Sequence, residues 1–119
     1  MELPQYITIE EVQRVCSELS FRDWTKLTSI EVLPEEARVL QAEVGSEALQ
    51  IPLDEFRKGL EVELEHGTRD PQTNVTNDDM VLTGKIALAH LKEVPDYYSR
   101  LEKMEAAAYA YWEAKGAGV

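Results

Sequence analysis

Met80-Val-Leu-Thr-Gly-Lys-Ile-Ala-Leu-Ala-His-Leu-Lys-Glu93 is the stretch that decides the fold. At about 100° per residue, Met80, Val81, Leu82, Ile86, Ala87, Leu88, Ala89 and Leu91 spread around almost the whole circumference of a helix. Lys85 and Lys92 form its only strongly hydrophilic strip. A helix apolar nearly all round belongs inside others. The stretch therefore predicts an all-α protein, a compact bundle of four to five helices with this one at the centre. His90 falls opposite the lysines, on the side of Thr83 two turns earlier, and is expected to face the interior.

Upstream, a long polar loop spans residues 68–77. Its Asp, Pro, Thr and Asn residues favour turns and local side-chain bonds to backbone. Thr76 or Asn77 is expected to cap the central helix, with Asp78 and Asp79 at its positive N-terminal end. Before the loop, a helix is expected from Asp54 to His66, between Pro52 and Gly67. Phe56, Leu60 and Leu64 give it an apolar stripe, while Arg57, Lys58, Glu61 and Glu65 point away. Glu63 breaks the pattern by falling within the stripe, and His66 lies at the edge of the same face. A carboxylate there is expensive unless it is paired or binds a cation.

Downstream, Pro95 opens a further helix from Asp96 to about Lys115. Tyr97, Leu101, Met104, Ala108, Tyr111 and Trp112 line one side of it. This stripe either completes the core or forms a helix-on-helix dimer seam. The tail, residues 116–119, is expected to fray.

Two more helices precede these. Thr8 and Glu11 make a capping box for one from Ile9 to Leu19. Pro34 suits the first position of another, which ends near Val44 with Gly45 as a left-handed cap. Between them, residues 21–33 carry Phe21, Trp24, Leu27, Ile30 and Val32 without clear periodicity, and a short strand or an irregular segment is expected.

The 119 residues are 44% hydrophobic, enough for a core, and about one domain's worth. The reading is a single domain, 1–119, with residues 1–33 as an N-terminal element added to a helical core over 34–115. The net charge is −11, from 23 acidic and 12 basic residues. That field repels a phosphate backbone, so no nucleic-acid partner is expected. No stretch approaches the ~20 apolar residues of a membrane span. The single cysteine, Cys16, rules out an internal disulfide and falls on an apolar stripe. The N-terminal residues lack the basic start and apolar run of a secretion signal, so a cytoplasmic location is expected.

Three segments, Glu63-Leu-Glu-His-Gly67, Asp70-Pro-Gln-Thr-Asn-Val-Thr-Asn-Asp-Asp79 and Thr83-Gly-Lys-Ile-Ala-Leu-Ala-His-Leu-Lys-Glu-Val-Pro-Asp-Tyr-Tyr98, resemble a family of small uncharacterised bacterial and phage-associated proteins. Its signature is E-L-E-H-G, then D-P-x-T-N-V-T-x-D-D, then T-G-K-I-A-x-A-H-L-x-E-x-P-D-Y-Y. Segments like Glu35-Glu-Ala-Arg38 and Pro52-Leu-Asp-Glu-Phe-Arg-Lys-Gly59 accompany it, so the resemblance runs from about Glu35 to Met104. It implies no activity.

Two functional readings follow from the residues. In the first, the chain is a non-enzymatic interaction or structural protein that binds a protein partner or a second copy of itself. Glu63, His66, Thr83 and His90 then form a buried polar clasp holding the 68–77 loop. In the second, Glu63-x-x-His66 and His90-x-x-Glu93 face each other and bind a divalent metal, as Glu-x-x-His pairs do in helical bundles, with redox or hydrolytic chemistry. A ferritin-like pair of metals would need two further inward glutamates, which the first two helices do not supply on their stripes. The loop oxygens of Asp70, Asn74, Asn77, Asp78 and Asp79 do not match a calcium loop. No nucleophile motif or phosphate-binding glycine loop is present.

Overall fold

Capping side chains set where two of the five α-helices begin, in a computed structural model that describes residues 2–4 and 7–116. Helix α1 is Ile9–Glu18, and Thr8 Oγ1 accepts the Glu11 N–H at 3.1 Å. The box stays half closed, because the Glu11 carboxylate pairs with Arg14. Helix α2 is Pro34–Val44. It ends at Gly45 with φ 135° and ψ 164°, not in the left-handed helical conformation expected. The chain leaves extended through a region only glycine adopts readily. A 3₁₀ turn over Ser46–Gln50 follows.

Helix α3 is Leu53–Glu63 and tightens into a 3₁₀ turn over Leu64–His66. Helix α4, Met80–Glu93, is capped by Asp79, whose Oδ1 accepts the Leu82 N–H at 2.7 Å. Neither Thr76 nor Asn77 is the cap. Asn77 and Asp78 both have positive φ, 51° and 65°, so helical backbone cannot start before Met80. Helix α5 is Tyr97–Ala114. Residues 117–119 of the expected frayed tail lie outside the described residues.

The architecture is an all-α bundle, with α4 packed against α2, α3 and α5. Its buried stripe is Met80, Thr83, Gly84, Ala87 and Leu91. Gly84 permits the close approach of α2: a Cβ there would stand 2.8 Å from Val44 Cγ1. Val12, Cys16, Trp24, Leu40, Phe56, Leu60 and Tyr98 fill the rest of the core. Among the described residues no helix is long and apolar enough to cross a membrane.

The segment 21–33 contains no strand. It holds a 3₁₀ turn at Trp24–Lys26, and side chains satisfy its backbone. Val32 N–H donates to Glu61 Oε2 at 2.9 Å, and Val32 C=O accepts from Arg57 Nε at 2.5 Å. Two residues of α3 thus supply what a neighbouring strand would. On α2, the buried Glu36 carboxylate accepts from Arg22 Nη2 (2.6 Å) and Nε (3.1 Å), Trp24 Nε1 (3.1 Å) and Leu33 N (3.0 Å). Burial opposes its ionisation, but these bonds outweigh it and hold the Glu36 carboxyl below the usual range.

Candidate functional site

Glu63 is buried, as its place in the apolar stripe predicts, at the last turn of α3. Its Oε2 accepts a hydrogen bond from the Tyr98 hydroxyl at 2.7 Å. The same oxygen lies 3.9 Å from His90 Nε2, while Oε1 lies 3.8 Å from His66 Nε2. Each imidazole thus meets a different carboxylate oxygen, beyond direct hydrogen-bond reach. His66 is mostly exposed and His90 is half-buried, not interior. His90 Nδ1 is nevertheless covered and has no hydrogen-bond partner among the described residues. Its ring stacks on Tyr97, centroids 4.5 Å apart and planes 15° apart.

Tyr98 is the residue that sequence reasoning missed. It is fully buried, and its ring lies against Gly59, where a Cβ would stand 2.6 Å from Tyr98 Cε2. Burial first, then the hydrogen bond and charge of Glu63, push the phenol far above its usual pKa. Tyr98 therefore stays a donor. A tyrosine is expected near a buried carboxylate only once the helix pair is known. Gly59, in the interior of α3, is the sequence signal that something large approaches there.

Among the described residues Thr83 and Glu93, the other expected members, make no hydrogen bond or ion pair with Glu63. Thr83 Oγ1 donates to Asp79 O one turn back, at 2.6 Å. Glu93 is exposed at the end of α4. Among the described residues no three His, Cys, Asp or Glu side chains converge in a way that could hold a metal ion.

The loop is tied down through another set of groups. Asp78 Oδ1 accepts from Thr68 N at 2.8 Å, and Oδ2 from Thr68 Oγ1 at 2.6 Å. Val75 N–H donates to His66 C=O at 2.8 Å. Asn77 Nδ2 reaches Ile7 C=O at 2.7 Å, joining the loop to the chain before α1. Gly67 makes room for Asp78, since a Cβ there would overlap the carboxylate.

The first turns of α5 are anchored along α3. Beside the Tyr98–Glu63 bond, Ser99 Oγ donates to Glu55 Oε1 at 2.8 Å, and Lys58 pairs with Glu102 at 3.2 Å. Beyond Leu101 every described residue of the helix is exposed. Met104, Tyr111 and Trp112 are 61%, 54% and 51% exposed. Tyr97, Leu101 and Met104, with Arg100, line a groove of about 340 Å³ where this exposed segment begins. Tyr97 and Leu101 pack on the core, as one reading of the stripe expects, while Met104, Tyr111 and Trp112 are exposed.

Fold and site together define a small acidic all-α protein with a pinned, projecting C-terminal helix. The family model described as "Protein of unknown function (DUF5661)" matches residues 12–107, and the chain belongs to that family. The match starts within α1 and ends on the exposed part of α5. No curated protein and no solved structure matches the chain.

Proposed function

We propose that this chain is a non-enzymatic interaction protein: an acidic helical body that holds one face of α5 out for another protein. The observation that carries this reading is the exposed segment from residue 102 to 114, helical and striped with Met104, Ala108, Tyr111 and Trp112. A helix of this length is marginal by itself in water, where most helical stability comes from tertiary packing of an apolar face. Aromatic and methionine side chains exposed together along one face mark an interaction surface.

The Glu63 cluster then has a positioning role. Tyr98 in its slot against Gly59, bonded to Glu63, and Tyr97 stacked on His90 fix the angle at which α5 leaves the body. The charge of −11 supports a protein partner over nucleic acid. The single cysteine, a buried free thiol, supports cytoplasmic residence.

Site-specific photo-crosslinking in cells tests the reading. A benzophenone amino acid at position 108, on the stripe, should give a discrete adduct. The same group at position 106, on the opposite side of the helix, should not. Adducts at neither position, or equally at both, contradict a docking face.

A further inference from the structure

We infer that the occupant of the α5 face is a second copy of this chain, with its own α5 running antiparallel. The inference rests on the docking reading above and names the partner.

The stripe residues Tyr97, Leu101, Met104, Ala108, Tyr111 and Lys115 are spaced alternately by four and three. That is the spacing of a two-helix seam, nearly three heptads long. Charge permits self-pairing here. Over residues 97 to 116, α5 with the two residues after it, Arg100, Lys103 and Lys115 balance Glu102, Glu105 and Glu113, so the whole −11 lies on the rest of the chain. Two such bodies repel, and two such helices do not. Antiparallel pairing keeps the bodies at opposite ends of the seam. A parallel pair would place them side by side.

Size complementarity points the same way. With the helices centred on Ala106, Met104 opposes Ala108 of the second copy, large against small, and Leu101 opposes its Tyr111. Tyr97 opposes the second copy's Lys115, an ammonium against a ring. The groove of about 340 Å³ beside Leu101 and Met104 is where that Tyr111 arrives. Within a single copy, Lys115 already lies 5.5 Å from the Tyr111 ring centroid, so both groups sit on the stripe face.

Sedimentation velocity of the purified full chain, over a concentration series, reads the association. A reversible dimer is expected, weakened more than tenfold by Met104→Glu or Tyr111→Glu and unchanged by Ala106→Glu on the far side. These positions are exposed in the single copy, and a thermal melt of each variant confirms an intact body. A dimer indifferent to both stripe variants overturns the seam. A monomer at every concentration overturns the second copy as occupant. The photo-crosslinking above then decides separately whether the face docks a foreign protein, since the adduct mass distinguishes the two partners. Orientation is read by mixing Met104→Cys with Ala108→Cys under oxidation. A mixed disulfide in large excess supports the antiparallel seam, and predominance of the two homodisulfides overturns it.

Discussion

The Tyr98 hydroxyl donates to Glu63 Oε2 at 2.7 Å, and both residues are buried. This bond joins the end of α3 to the start of α5 and satisfies the carboxylate that sits out of pattern in an apolar stripe. Tyr98→Phe removes the donor and keeps the ring. A hydrogen bond to a charged group contributes about 1.5–3 kcal/mol, so chemical denaturation should show a loss of that order. The Glu63→Gln variant, whose side-chain oxygen can still accept from Tyr98, should lose less than Glu63→Ala.

Gly59→Ala tests the slot that seats the ring. The added methyl meets Tyr98 Cε2 and, at 3.1 Å, Ala87 Cβ. Overpacking of this kind costs about 1–3 kcal/mol. Helix propensity alone would predict a gain from the same change. Destabilisation in a thermal melt therefore reports the packing, and a stabilised variant would contradict it.

How much of this was legible in the sequence depends on the range of the interaction. The five helices and their order follow from local signals: Thr8 as a cap, Pro34 at a first helical position, the all-round apolar character of α4. Glu63 also announced itself, because a carboxylate within an apolar stripe is a local anomaly. Its partner did not. Tyr98 lies 35 residues away, on a helix whose apolar stripe runs through Tyr97, Tyr111 and Trp112 and leaves Tyr98 out. The loop shows the same limit. Asp78 and Asp79 looked like equal contributors to the α4 N-terminus, yet only Asp79 caps it. Asp78 turns back to Thr68 because its positive φ reverses the chain. A backbone reversal at a non-glycine residue leaves little trace in composition. Segment 21–33 read as irregular because side chains of α2 and α3 hold it, with no ladder to impose a period.

The Glu36 anchor predicts a pH dependence. Its carboxyl titrates in the folded chain below the ordinary value of 4.5. A depressed folded pKa contributes stability that is fully present above the unfolded value and is lost as pH falls through the folded one. Urea midpoints should therefore drop as pH falls from about 5 toward 3. In Glu36→Gln that drop should be shallower, on top of a uniform loss at neutral pH. Glu36→Ala should cost more than Glu36→Gln, because it leaves the buried Trp24 Nε1–H without its acceptor, a loss of about 1–3 kcal/mol.

Asp78→Ala should free the loop. Two bonds to Thr68 disappear, at about 1–3 kcal/mol in all, and amide exchange at Thr68 and Val75 should rise together. Gly67→Ala should reproduce the effect with Asp78 intact, because its methyl displaces the carboxylate.

The account's central claim is that a second copy of this chain covers the α5 face beyond Leu101. Hydrogen–deuterium exchange of amides 102–114 in the purified chain, measured across a concentration series, tests it most directly. The account predicts protection that rises with concentration and vanishes in Met104→Glu, while amides of α4 stay unchanged. Exchange in this segment that is independent of concentration, and equal in wild type and Met104→Glu, would contradict it.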